Sequence, residues 1–161
     1  MPRTIPGDLD GRSLRIAVLV ARWNAPITDR LRDGALEVLA AAGVPDVTVV
    51  EVPGTFELPV AAARLAATKR FDAIVALGCV LKGETIHDRV IADACAQGLM
   101  DVATGSRVPV TFGVVTADTL AQAEARSDLA SAPGKGGHKG REAAEAAVRL
   151  LDALRKVEGR P

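Results

Sequence analysis

Apolar residues along this chain follow two spacings in turn. Residues 14–21 are a near-continuous apolar run broken only by Arg15, and their Val and Ile content predicts a buried strand. Pro26 and Thr28 open a helical pattern in which Ile27, Leu31, Ala35, Leu36, Val38 and Leu39 share one face, and Gly43 ends it. Residues 47–52 predict a second strand, stopped by Pro53 and Gly54. A helix follows over 56–68, with Leu58, Ala61, Ala62 and Leu65 inward. Residues 73–80 predict a third strand, 85–104 a helix, and 108–115 a fourth strand. A short helix at 120–126 and a longer one at 141–157 close the chain, the latter with Ala144, Ala147, Val148 and Leu151 inward. Between them lies a glycine-rich loop, 127–140.

Strand and helix thus alternate four times. That pattern predicts an α/β fold: a three-layer α/β/α sandwich of the flavodoxin-like kind, with a four-stranded parallel sheet and right-handed crossovers. Residues 1–13 read as a flexible N-terminal arm and 14–158 as a single domain.

Composition narrows the function. The 161 residues are 48% apolar but only 2% aromatic, so Ala, Val, Leu and Ile must fill the core. Lysine plus arginine balance aspartate plus glutamate at 20 each. A net charge of zero supplies no long-range attraction to nucleic acid. Cys79 and Cys95 lack metal-ligand spacing and read as reduced, buried thiols, so no metal site is expected. No apolar run reaches the roughly 18 residues of a membrane span, and a cytoplasmic protein is expected.

Ligands of an open α/β sheet bind beyond the C-terminal ends of its strands, so the segments after each strand carry the candidate chemistry. Trp23 and Phe56 stand just past strand ends in a chain with one Trp and three Phe. Their flat faces suit stacking on a planar heterocycle, or capping of the core edge. Glu57, at a helix start, is an acceptor for ligand hydroxyls or a carboxylate favoured by the helix dipole. Gly83-Glu84-Thr85 occupies a strand-to-helix junction. Free amides and a hydroxyl there suit phosphate, or make an ordinary turn capped by Thr85. The glycine spacing is not a dinucleotide fingerprint, and no P-loop is present. His87, in the adjoining helical turn, is placed to shuttle protons or is structural. Arg126 closes a fork on phosphate or is a solvated charge. Lys139, clustered with Lys135, His138 and Arg141, is open in the same way.

Four blocks then make a specific match. They are Ala21-Arg22-Trp23-Asn24, Val52-Pro53-Gly54-Thr55-Phe56-Glu57-Leu58-Pro59, the stretch from Ala76 through Gly78-Cys79-Val80-Leu81-Lys82-Gly83-Glu84-Thr85-Ile86-His87, and Pro109-Val110-Thr111-Phe112-Gly113-Val114-Val115-Thr116. In this order and spacing the chain resembles the lumazine synthase family over about residues 14–151, with Gly137-His138-Lys139-Gly140 a looser fifth block. The resemblance implies a transferase that joins 5-amino-6-(D-ribitylamino)uracil to 3,4-dihydroxy-2-butanone 4-phosphate. The product is 6,7-dimethyl-8-ribityllumazine, with loss of phosphate and water, in the penultimate step of riboflavin biosynthesis. The implied sequence is imine formation, phosphate elimination and ring closure, without cofactor or metal.

The resemblance also implies roles. His87 moves protons. Trp23 stacks on the pyrimidine, where the family more often has Phe. Asn24 and the backbone of Cys79, Val80 and Leu81 bond the ring or the ribityl chain. Phe56 and Glu57 hold that chain, with Thr55 a further contact. Gly83, Glu84 and Thr85 cradle phosphate. Phe112, Arg126 and Lys139 reach in from a neighbouring subunit, Arg126 on phosphate and Lys139 on the ring. A homopentamer with active sites between subunits is implied, and an association with riboflavin synthase is left open.

Two departures stand out. Asp88-Arg89-Val90 follows His87 where the family has an aromatic, an acid and an aromatic. The loop from Arg126 to Lys139, with Pro133, is longer than in compact members and implies a free pentamer or decamer instead of a shell. Two other readings stay open: an inactive flavodoxin-like ligand binder, and a shell-forming scaffold.

Overall fold

A strand buried on both faces needs no polar alternation, and β1 (Arg15–Ala21) has none after Arg15. Ile16, Val18 and Val20 enter one core, shared with α1 (Ala25–Ala41) and α5 (Lys139–Glu158). Ala17, Leu19 and Ala21 enter the other, shared with α2 (Leu58–Ala67) and α3 (His87–Ser106). Each such Val, Leu or Ile taken fully from water contributes about 1.5–3 kcal/mol. In this computed structural model, which describes residues 1–131 and 137–159, the two cores sandwich one sheet. Its order is β2 (Asp46–Val52), β1, β3 (Ala73–Leu81), β4 (Val110–Ala117), all parallel. Val18 faces Val49 on one side and Val75 on the other. The predicted three-layer α/β sandwich is therefore what the chain forms.

Several boundaries move for local reasons. Pro109 has no N–H to give a ladder, so β4 starts at Val110, although the Pro109 carbonyl still accepts from Ile74. A single 3₁₀ turn, Thr55–Glu57, precedes α2 and turns its face, so Leu58, Ala62 and Ala66 are buried while Ala61 and Leu65 are only partly so. α5 starts two residues earlier than the periodicity predicts because His138 caps it. β2 lies at the sheet edge, and its burial is only partial. α4 (Leu120–Ala125) begins with a capping box in which Thr119 accepts from the Gln122 amide.

α1 and α5 approach until backbone meets backbone. A Cβ on Gly140 would fall 2.0 Å from the Leu31 carbonyl oxygen. The segment ahead of β1, expected as a flexible arm, lies along α5: Arg149 donates to the Gly7 carbonyl, and Lys156 pairs with Asp8 and Asp152. Cys79 and Cys95 are buried free thiols, as expected. Pro133 and Lys135, in the expected loop, lie outside the described residues.

Candidate active site

The route of the chain opens a cleft at one edge of the sheet. β1 passes through α1 to β2 on one side, and α2, on the opposite face, leads to β3 on the other. The C-terminal ends of β1 and β3 therefore splay connections in opposite directions, which is where open α/β sheets hold ligands. A cavity of about 250 Å³ lies there.

Its walls come from three strand ends. After β1, Trp23 and Asn24 line it. Asn24 takes a left-handed backbone (φ 62°), which asparagine tolerates better than most residues, and so turns the strand sharply into α1. Its Nδ2 donates to the Cys79 carbonyl at 2.9 Å, clamping the ends of β1 and β3 together. After β2, Thr55 and Phe56 line the cleft. The Gly54 amide donates to Glu57 Oε2 at 2.9 Å, and a Cβ on Gly54 would strike the Trp23 ring at 2.5 Å. Glycine is thus required for the indole to lie over this turn. Glu57 Oε1 has no partner among the described residues.

The last residues of β3, Cys79, Val80 and Leu81, line it too, followed by Gly83, Thr85 and His87 beyond the strand. Nothing lies within 4 Å of where a Gly83 Cβ would sit, so the backbone of that turn is open to a ligand. The His87 amide donates to Thr85 Oγ1 at a long 3.4 Å. Burial pushes the Cys79 thiol up to about 11, so this cysteine offers its backbone, not a thiolate.

Three of the four aromatic side chains are exposed: Trp23 by 64%, Phe56 by 57% and Phe112 by 48%, against 7% for Phe71. Two of the exposed three stand in this one cleft. Asp88 and Ile91 also line it, and the sequence had not singled them out for that role. Ile91 was findable, since it lies one turn beyond His87 on the same helical face. Asp88 gains from the helix dipole in the first turn of α3.

Glu57, Glu84, Phe112, Arg126 and Lys139 do not line this cleft, Glu57 following Phe56 with its carboxylate on the Gly54 amide. Glu84 is exposed in the turn beside Gly83, and Phe112 is exposed on the edge strand β4. Arg126 caps the end of α4 and lines a separate groove with Val115 and Gln122. Lys139 opens α5, with its ammonium 2.6 Å from Glu142. Among the described residues no group of three metal-ligating side chains occurs, and no helix is long and apolar enough to cross a membrane.

Residues 13–155 match the family model of 6,7-dimethyl-8-ribityllumazine synthase. Over 154 residues the chain is 49% identical to a 6,7-dimethyl-8-ribityllumazine synthase of Kineococcus radiotolerans, covering 96% of this chain and 93% of the relative. Similarity to the synthase of Salinibacter ruber is 43% identity over 161 residues, covering 99% and 100%. With that of Thermococcus gammatolerans it is 41% over 156 residues, covering 97% of each.

Proposed function

The chain belongs to the 6,7-dimethyl-8-ribityllumazine synthase family, and from that we propose that the β1–β3 cleft is where it condenses 5-amino-6-(D-ribitylamino)uracil with 3,4-dihydroxy-2-butanone 4-phosphate. One observation carries the assignment: a single cleft holds two exposed aromatic faces, an unobstructed glycine turn and a histidine.

The chemistry asks little of the protein beyond placement. An aromatic amine meets a ketone that carries its own leaving group. Holding the two together supplies up to about 7–11 kcal/mol of the barrier in favourable cases. Trp23 and Phe56 offer apolar faces to the pyrimidine and its ribityl chain, and Glu57 Oε1 accepts from ribityl hydroxyls. Thr55 packs beneath, its Oγ1 against Gly78, where a Cβ would clash. The Gly83–Thr85 turn receives the phosphate with backbone amides. Imine formation sends the ketone oxygen out as water and needs a proton delivered to it. Elimination then removes a carbon-bound proton as phosphate leaves with the C–O bonding pair. Histidine can give and take protons near neutrality, and His87 lines the same cleft as the glycine turn and the two aromatic faces.

Phe112, Arg126 and Lys139 complete the cleft of the next subunit in a head-to-tail ring, which we take to be a pentamer. The exposure of Phe112 on an edge strand supports this. Residues 14–158 are the domain to which this activity is assigned. A cytoplasmic setting in reach of riboflavin synthase is part of the same reading.

Mixing the two substrates with purified protein tests it. Lumazine fluorescence and phosphate should appear together in equal amounts. Folded protein that binds the pyrimidine yet releases neither product overturns the proposal.

A further inference from the structure

The chain has two histidines, and the reaction above uses only His87. His138 is 3% exposed. Its Nδ1 accepts the Arg141 amide at 3.2 Å and so caps α5. The proton of this tautomer is therefore on Nε2, which is buried and has no well-formed hydrogen bond among the described residues, only a pull from the Arg30 backbone. A buried donor so poorly served is a cost that a shorter amide cap avoids. The ring is accommodated by α1: a Cβ on Gly34 would lie 2.3 Å from Cε1 and 2.7 Å from Nε2. The next residue, Lys139, donates its amide to the Arg126 carbonyl at 2.8 Å. One knot thus joins the start of α5, the end of α4 and the middle of α1, and both proposed neighbour-facing cations lie within it.

We propose that His138 is a positioning residue: its neutral imidazole, capping α5 and seated on Gly34, holds Lys139 and Arg126 where the phosphate substrate needs them. This rests on the assignment of those two cations to the site.

Protonation undoes the device in two ways. It turns Nδ1 from acceptor to donor against the Arg141 amide, and it sets a positive charge at the positive end of the α5 dipole. The charged groups acting on the ring are Arg141 of α5 and Glu37 of α1, ion-paired at 2.6 Å. Lys139 and Glu142 pair in the same first turn of α5. Arg126 meets the knot through its carbonyl. Burial, then the Arg141 charge, pushes the imidazole below its usual range. The backbones of Arg30 and of His138 itself, and the Glu37 carboxylate, pull the other way. A folded value below the unfolded one means the cap's contribution to stability is whole above the ordinary histidine value of about 6.5 and is lost as pH falls from there through the lower, folded value, where the capping ring itself takes up its proton.

Kinetics of His138→Ala, His138→Asn and Arg126→Ala from pH 5.5 to 8 decide the matter, with melting curves alongside. His138→Ala should raise KM for the butanone phosphate about fivefold at pH 7.5, the cost of a lost cap, with smaller changes in kcat and in KM for the pyrimidine. His138→Asn, which keeps an acceptor but cannot titrate, should restore that KM. His138→Asn differs from wild type only at this ring, so the ratio of wild-type KM to that of His138→Asn isolates it and should climb as pH falls from about 6.5 through the lower, folded value of the imidazole. A wild-type KM in His138→Ala, or a constant ratio across the range, overturns the proposal. So does an equal loss in kcat and both KM values with a lowered Tm, which marks a merely structural cap. A wild-type KM in Arg126→Ala strikes at the site assignment itself. A raised KM there, beside an unchanged one in His138→Ala, strikes only at His138.

Discussion

Single side chains decide the chemistry. In the cleft, exposed aromatic surface that a monomer has no folding reason to keep is concentrated beside the one histidine at a strand end. If His87 moves the protons, His87→Ala should lower kcat by about 10²-fold or more while both KM values change little, as steady-state kinetics would record. An unchanged kcat would leave proton transfer to water or to Asp88. Most residues of the cleft were legible in the sequence, because segments after strands are where a parallel sheet presents ligands. Asp88 was not. It had stood out only as a departure with no explanation, and its place in the wall depends on where α3 begins. Cys79 shows the converse. Its position was legible, but burial, which sequence reports only coarsely, decides that the thiol is inert.

At the scale of elements, glycines mark where segments touch and where they leave room. Gly140 presses α5 onto the backbone of α1, so Gly140→Ala should cost about 1–3 kcal/mol and lower Tm by several degrees. Gly83 meets nothing within 4 Å. Gly83→Ala should therefore melt like the parent protein, yet raise KM for the phosphate substrate by placing a methyl group where phosphate docks. Calorimetry and kinetics on the pair separate the two kinds of glycine. Equal melting temperatures for both variants would contradict the close packing of α1 on α5. Helix faces were mostly foreseen, since amphipathic spacing is written locally: Ala144, Ala147, Val148 and Leu151 are all buried as predicted. Ends were less so, because caps such as His138 act through side-chain geometry and not through period.

For the whole molecule, the open question is what covers its apolar surface. α3 has 20 residues, yet only Cys95 and Leu99 are buried. Val60, Ile86, Val90 and Met100 stand exposed with Trp23, Phe56 and Phe112. Apolar surface of this kind suits contact between copies of the chain, and zero net charge does not oppose it. Light scattering should give a particle about five or ten times the 16.7 kDa chain, and dilution that separates subunits should abolish turnover. A megadalton shell would overturn the expected free ring, and an active monomer would overturn the shared site.

Apolar spacing is a local property, and it was enough to set the four strands, the helices between them and the two-faced burial of β1, while the residue blocks at the strand ends carried the resemblance to the family. Strand order is not local. That β3 lies beside β1, and not beside β2, puts Trp23 and Cys79 across one cleft and lets Asn24 clamp the two strand ends. Nor does any period reveal that His138 rests on Gly34 or that Arg141 pairs with Glu37, 104 residues away. Those contacts exist because packing brings distant segments together at backbone range, and only the folded chain shows which segments meet.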